Sequence, residues 1–387
     1  MHFATLTALL AALALPAPAA ALPRIEIEPD GGIDDNGVPA LVRAPGFAGP
    51  AEIELRGQFS RTLPKKSYAL ELRDAEGDNA DAPLLGLPAD DDWVLTAAYN
   101  DRTLMRNALA YETARSIGRY AARTRFVELR IRGRSRGVYV LTEKLKLHDD
   151  RVRGGDDAFL LELTSPRQAP EKGEGFATPL LGLPIVWEDP DREDLGAARA
   201  ARIRAAVARA ERAVLAGRPG AWRRHLHGPS AVDHLLLNEL FKNQDGMFAS
   251  TFLTAPRPAA ALRLGPIWDF DISMGAPGRV PGGSAPAGWM LANRSWARAL
   301  YRDPAFGRAF ERRWRALRRA GLRGRILRTV DRYQRRLAGG PVGLDLRRWP
   351  AGRPHRPRGT HAEHVRRLER WIVRRIAWID RNAGTLG

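Results

Sequence analysis

The sequence has 387 residues, no cysteine, and 62 Lys and Arg against 44 Asp and Glu, which gives a formal charge of +18. The lack of cysteine excludes a disulfide-stabilised scaffold, a zinc site with thiolate ligands and a cysteine nucleophile. With 44% hydrophobic residues, the chain has enough apolar side chains for one large two-lobed domain or for two domains.

The chain begins with an uncharged run, residues 3–21, that is rich in Leu and Ala and ends in three alanines. This pattern predicts a cleaved secretory signal peptide over residues 1–21, and therefore a secreted, periplasmic or cell-envelope protein. An uncleaved membrane anchor is the alternative, because about 20 apolar residues can span a bilayer. Two prolines near the end of the run favour cleavage.

Residues 22–150 are predicted to form a strand-rich N-terminal lobe. Three runs alternate apolar and polar residues as half-buried strands do: residues 24–28, 51–55 and 66–72. Apolar residues at spacings of three and four predict a helix over residues 103–117. Two more alternating runs, 125–131 and 138–145, flank a glycine-containing connection and predict a hairpin.

Residues 151–320 are predicted to form a mainly helical C-terminal lobe. The patterns in this region predict strands at 159–163, 183–187 and 262–270 and helices at 197–215 and 231–242. Ser230 is the predicted N-cap of the second helix. Residues 276–288 are rich in Gly and Pro and predict a loop.

Residues 321–387 are predicted to be a basic helical extension. The stretch from 301 to 387 contains 24 Arg, no Lys and seven acidic residues, so it carries almost all of the net charge. Such a surface could bind an acidic protein, an anionic lipid or a polysaccharide. Arginine-rich helices that are merely solvated are the alternative.

Two aspartates at the end of the segment 265–271 are the sharpest chemical feature. If this segment is a strand, Asp269 and Asp271 project from the same face. Two carboxylates so close repel each other unless a proton or a divalent cation lies between them, and oxygen ligands suit Mg²⁺ or Mn²⁺. A turn-capping aspartate beside a solvated one is the alternative.

A second group of polar residues, 238–246, follows an apolar helical stripe. Asp245 could orient a nucleophile or bind a metal ion, and Asn243 is a further candidate metal ligand. A helix-terminal aspartate that accepts a local hydrogen bond is the alternative.

Basic residues before and at the start of the strand predicted at 66–72 are candidates for binding phosphate. Arg56 is followed by Gly and Ser residues whose backbone amides could bind a phosphate. Adjacent strand residues face opposite sides, so only one of Lys65 and Lys66 can point into a cleft, and we favour Lys66. Glu143 is a candidate partner of this lysine or of a nucleotide, and an exposed ion pair is the alternative.

These motifs occur in an order that resembles the spore coat protein H (CotH) kinase family over about residues 50–320. The standard phosphate-binding and protein-kinase motifs are absent. The segments that support the resemblance are 56–57, 64–68, 87–88, 92–95, 101–107, 137–144, 238–245 and 265–271.

The resemblance implies an α+β, two-lobed, atypical protein-kinase-like fold. It also implies a secreted enzyme that transfers the γ-phosphoryl group of ATP to Ser or Thr of a protein acceptor with Mg²⁺ or Mn²⁺. Lys66 would then hold phosphates, Asp245 would be the catalytic-loop acid, Asp269 and Asp271 would bind metal, and Glu143 would support them.

Two other functions compete with the kinase. A cell-envelope or surface binding protein could retain the fold without catalysis. A nuclease would fit the charge and the aspartates, but the aromatic residues of the basic region have the spacing of core residues and not that of an exposed stacking platform. We therefore expect no specific nucleic-acid partner.

Overall fold

Seven strands of the N-terminal half close into a barrel with the order β1-β2-β3-β4-β5-β7-β6. All neighbours are antiparallel except β1 and β6, whose parallel pairing closes the barrel. The strands are β1 (Arg24–Pro29), β2 (Val38–Ala44), β3 (Phe47–Arg56), β4 (Ser67–Leu72), β5 (Asp92–Thr96), β6 (Thr124–Ile131) and β7 (Arg134–Glu143).

A five-stranded antiparallel sheet follows the barrel in the chain, with the order β12-β11-β8-β10-β9. Its strands are β8 (Phe159–Leu163), β9 (Gly175–Ala177), β10 (Pro184–Asp189), β11 (Thr251–Ala255) and β12 (Arg263–Leu264). The central strands β8 and β11 are buried along their whole length. This accounts for their nearly continuous apolar sequence.

Helices form most of the rest of the chain. They are α1 (Phe59–Thr62), α2 (Arg106–Ser116), α3 (Ala197–Leu215), α4 (Gly228–Phe241), α5 (Ser295–Leu300), α6 (Pro304–Arg319), α7 (Leu322–Leu337), α8 (Gly340–Arg348) and α9 (His361–Asn382). The computed structural model describes residues 21–278, 280–353 and 355–386. No described helix is both long and apolar enough to cross a membrane.

Two separate cores stabilise the protein. The inward-facing residues of the barrel strands form the smaller one, which includes Ile25, Ile53, Trp93, Leu129 and Leu141. The larger core joins α2, the five-stranded sheet and the helices from α3 to α9. Residues 321–387, predicted as a helical extension, are largely helical and contribute to this larger core.

A buried ion-pair network connects the barrel to the C-terminal helices. Lys65 Nζ donates to Asp345 Oδ1 on α8 over 2.7 Å, and the same carboxyl accepts hydrogen bonds from Arg356 and from the backbone N–H of Val138. Lys65, Asp345 and Arg356 are each at most 2% exposed. The single carboxylate of Asp345 therefore opposes two cations that are shielded from solvent.

The α+β class, the strand-rich first half and the helical second half are confirmed. β8 and α3 begin and end where the sequence predicts them. The barrel strand β2 was not predicted, because its residues lie between two turn-rich segments. The predicted signal peptide lies outside the described residues except for Ala21.

Two predictions about element ends are wrong. α4 begins at Gly228 and not at Ala231, and its N-cap is His227, whose side chain accepts the N–H of Ser230. The strand predicted at 262–270 is limited to β12, and Asp269 adopts a left-handed φ of 57°. Asp269 and Asp271 are therefore not brought together by strand alternation.

Candidate active site

The irregular segment after β12 is held in place by helix α2. The backbone N–H of Asp269 donates to Tyr111 Oη over 3.1 Å, and the N–H of Phe270 donates to Asn107 Oδ1. The ring of Trp268 stacks on Tyr111 with centroids 5.6 Å apart. These contacts stabilise the left-handed backbone of Asp269, which an aspartate adopts more readily than most residues.

Asp269 and Asp271 are brought together by this turn. The charge of Asp271 acts directly on Asp269, and Asn100 Nδ2 donates to Asp271 Oδ2 over 3.0 Å. Loss of hydration and the negative charges of Asp271 and Asp245 raise the pKa of Asp269 well above its usual range. A proton or a cation is therefore required between the two carboxylates.

Asp245 reaches the same place from the end of α4. Asn243 Nδ2 donates to the carbonyl of Asp269 over 3.2 Å, and Asn243 Oδ1 accepts the N–H of Asp245 over 3.2 Å. Asn243, predicted as a metal ligand, thus links the two acidic segments through its amide. We call Asp245, Asp269 and Asp271 the carboxylate cluster.

Two cations act on this region. Lys172, which lies just before β9, forms an ion pair with Glu162, and its positive charge lowers the pKa of Asp269. Arg56, at the end of the barrel strand β3, lies over the ring of Trp268 at 5.6 Å. Arg56 was predicted from the sequence, whereas Lys172 was not.

Two further acidic residues lie on neighbouring strands of the five-stranded sheet. Glu162 on β8 accepts the N–H of Ser250 over 3.2 Å, and Glu188 on β10 is half-buried beside it. Loss of hydration and the negative charge of Glu162 raise the pKa of Glu188 to about 8, although Lys172 and Arg56 oppose this shift. The site therefore contains more acidic groups than basic ones, and this excess favours the binding of protons or of a cation.

One feature of the sequence could have identified Glu162 as a candidate site residue. Glu162 interrupts the apolar run of β8, and a charged residue in a buried strand is rare unless it is paired. Lys172 has no such signal, because it lies in a polar, glycine-containing segment. Only the folded hairpin of β9 and β10 brings it to the sheet.

The other predicted residues have different partners. Lys65 is fully buried in the ion-pair network, and the ammonium group of the half-buried Lys66 donates to the carbonyl of Arg61. The carboxyl of Glu143 pairs with Arg123 over 2.6 Å and also accepts the N–H of that residue over 2.7 Å. The described contacts of Lys66 and Glu143 do not include the carboxylate cluster.

A second acidic group lies on the barrel side of the protein. Among the described residues, only Asp81, Asp90 and Asp91 place three ligand oxygens within 4.8 Å of one another. Lys146 pairs with Asp90 and Asp91, and Arg151 pairs with Asp90, so two of the three carboxylates already have a basic partner in the protein. Asp245, Asp269 and Asp271 do not meet this distance criterion. At least one pair of carboxylates in the carboxylate cluster is therefore more than 4.8 Å apart.

The carboxylate cluster provides oxygen ligands that suit a hard divalent cation. Asp269 and Asp271 are the pair close enough to share one ion. Asp245, Lys172 and Arg56 surround them with one acid and two cations, a combination that suits a phosphate-containing ligand and a hydroxyl group.

Comparison with known proteins identifies one family. The family model described as CotH kinase protein matches residues 53–379. No curated protein matches the chain significantly. The match includes the region of the predicted resemblance and continues into α9.

Proposed function

Because the chain belongs to the CotH kinase protein family, we propose that it transfers the γ-phosphoryl group of ATP to Ser or Thr of a protein acceptor. The observation that supports this proposal is the convergence of Asp245, Asp269 and Asp271 with Lys172 and Arg56. Phosphoryl transfer depends mainly on cations around the phosphates and on a carboxylate that positions the hydroxyl.

The proposal assigns Asp269 and Asp271 as the residues that would hold Mg²⁺ or Mn²⁺. The ion would supply positive charge that neutralises phosphate oxygens. The raised pKa of Asp269 supports this assignment, because a pair that retains a proton in the absence of metal can exchange that proton for a cation.

Asp245 would orient the acceptor hydroxyl and accept its proton. Its position at the end of α4, with its N–H bonded to Asn243, supports this role because the backbone fixes it beside Asp269. Lys172 and Arg56 would neutralise phosphate oxygens.

A two-lobed, atypical protein-kinase-like arrangement is part of the proposal. The nucleotide would lie between the barrel and the helical part of the chain. In support, Arg56 comes from the barrel strand β3, whereas the carboxylates follow α4 and β12. The predicted signal peptide supports a secreted, periplasmic or cell-envelope location.

Incubation of the purified protein with labelled ATP, Mn²⁺ and an acceptor protein tests this function. We expect label on the acceptor, and a loss of at least about 100-fold in rate for Asp245→Asn. Asp156→Asn is the matched control, because Asp156 is exposed and the change in charge is the same. Nucleotide binding without transfer would contradict the kinase and support a non-catalytic binding protein.

A further inference from the structure

A cleft between α2 and α7 lies outside the candidate active site. Its volume is about 200 Å³. Sites for whole small molecules are usually about 300–1,000 Å³, so this cleft suits a single chemical group. Its lining includes three arginines of α7, Arg325, Arg328 and Arg332, and one acid, Glu112.

The acid of this cleft is already paired within the protein. Glu112 accepts hydrogen bonds from Arg332, from Tyr333 Oη and from Thr329 Oγ1, the last over 3.1 Å. Burial opposes ionisation of Glu112, but the hydrogen bonds from Arg332 and Tyr333 outweigh it and lower its pKa. Glu112 therefore balances Arg332 and leaves two cations.

Arg325 and Arg328 have no carboxylate partner among the described residues. Arg325 is fixed by its donation to the carbonyl of Ala320, yet its Nε is buried without an acceptor. A buried N–H group that lacks an acceptor is unfavourable, so an anion that reached Arg325 would offer its Nε a hydrogen-bond acceptor.

Gly324 lies next to the guanidinium group of Arg328 and, because it has no side chain, leaves space for that group. A Cβ atom at Gly324 would lie 3.0 Å from Arg328 Nη1. Arg325 and Arg328 are three residues apart, so they share one face of α7 and can bind the same group.

A neighbouring cleft shows that arginine alone does not make such a site. The cleft of about 230 Å³ beside α6 and α9 also has three arginines. There, Arg318 pairs with Asp380 over 2.9 Å and Arg315 pairs with Glu311 over 2.6 Å. Two of its three arginines are therefore balanced by carboxylates of the protein, and only Arg319 has no such partner among the described residues.

We propose that the cleft between α2 and α7 binds a phosphate dianion through Arg325 and Arg328. Planar guanidinium groups bind phosphate oxygens with two parallel hydrogen bonds, and two unpaired guanidinium groups match the charge of the dianion. The cleft borders the candidate active site through α2, because Tyr111 and Asn107 of that helix hold the carboxylate cluster on its other side. The proposal does not depend on kinase activity.

Thermal unfolding of the full chain in inorganic phosphate, compared with sodium chloride at equal ionic strength, tests the site. We expect phosphate to raise Tm by about 2 °C or more. The variant Arg325→Gln/Arg328→Gln should lose most of this increase. The control Arg302→Gln/Arg323→Gln removes the same charge from two exposed arginines and should retain it.

Calorimetric titration distinguishes the source of the phosphate group. Inorganic phosphate is compared with a phosphoserine peptide and with the same peptide without phosphate. Tighter binding of the phosphopeptide would assign the cleft to a phosphorylated protein, and binding of inorganic phosphate alone would assign it to the free anion. Both support the site if Arg325→Gln/Arg328→Gln weakens binding at least about tenfold, which is 1.4 kcal/mol.

Three results would overturn the proposal. The first is an equal Tm of the unmodified protein in phosphate and in sodium chloride. The second is an equal loss of the phosphate-induced increase in Tm in both double variants, and the third is an unchanged increase in Arg325→Gln/Arg328→Gln. The last result would place the phosphate elsewhere, most simply at the cations Lys172 and Arg56 of the candidate active site.

Discussion

The ammonium group of Lys172 acts on three acidic residues of the candidate active site, Glu162, Glu188 and Asp269. It pairs with Glu162, and its charge lowers the pKa of Asp269. The ammonium group of Lys66 instead donates to the carbonyl of Arg61. At the scale of single residues, Lys172 is therefore better placed than Lys66 to neutralise a phosphate bound at the carboxylate cluster.

Replacement of the two lysines should have unequal effects on catalysis. We expect Lys172→Ala to lower kcat/KM by about 100-fold, because a cation near the transferred group is lost. Lys66→Ala, which makes the same change in charge and size, should lower it by less than about tenfold. Steady-state phosphoryl transfer measures both, and a larger loss in Lys66→Ala would restore the assignment made from the sequence.

His234 is a second residue whose environment has a measurable consequence, in this case for stability. It is 4% exposed on α4, and neither ring nitrogen has a hydrogen-bond partner among the described residues. Burial lowers the pKa of His234 to about 4, from 6.5. Below pH 6.5 the unfolded chain therefore binds a proton that the folded chain excludes until about pH 4.

Stability should consequently fall as pH decreases from about 6.5 to about 4, with His234 contributing about 3 kcal/mol to the change. His234→Leu removes this contribution, so its free energy of unfolding should rise relative to the unmodified protein as pH falls. Urea unfolding at several pH values measures the difference. A difference that does not change with pH would show that His234 has a polar partner.

At the scale of elements, α8 is joined to the barrel by the buried network of Lys65, Asp345 and Arg356. Burial lowers the pKa of Lys65 to about 8, although the charge of Asp345 opposes this shift. Trp349, just after α8, adds a hydrogen bond to the carbonyl of Arg136 over 2.7 Å. The position of α8 on the barrel thus depends on the carboxyl group of Asp345 and on the indole N–H of Trp349.

Asp345→Asn should lower the free energy of unfolding by about 3–5 kcal/mol, because two buried cations lose their anion. Asp331→Asn removes a charge from an exposed position of α7 and should change stability by less than about 0.5 kcal/mol. Denaturant unfolding of both variants measures the effect. Equal, small changes would show that solvent can replace Asp345.

The elements that the sequence predicts well are those whose pattern is local. The ends of β8 and α3 follow from continuous apolar or helical composition. The end of β12 does not, because the chain turns at Gly265, which has a φ of 106°. The left-handed Asp269 beyond it is held by Tyr111 and Asn107, about 160 residues earlier. The spacing of apolar residues along the sequence does not reveal contacts between residues so far apart in the chain.

The same reasoning explains which site residues were predicted. Asp245, Asp269 and Arg56 lie in sequence motifs, and the structure brings them together. Glu188 and Lys172 join them through the pairing of β10 with β8 and β9. A distance between strands is a property of the fold, so the motifs alone do not reveal it.

At the scale of the whole molecule, the net positive charge and the candidate active site occupy different regions. Residues 301–387 carry a net charge of +17, and the barrel and five-stranded sheet are close to neutral. The candidate active site receives Arg56 from the barrel, Lys172 and Glu162 from the sheet region, and its aspartates from segments after α4 and β12. The proposed function therefore draws on residues from both parts of the chain.

Binding of Mn²⁺ and ATP, measured by calorimetry, tests the carboxylate cluster most directly. We predict that the unmodified protein binds the metal–nucleotide complex and that Asp269→Asn weakens this binding at least about tenfold, or 1.4 kcal/mol. Asp156→Asn, at an exposed position, should bind as the unmodified protein does. Equal affinity in Asp269→Asn and the unmodified protein would contradict the assignment of Asp269 as a metal ligand, and no binding to either would contradict the proposed kinase.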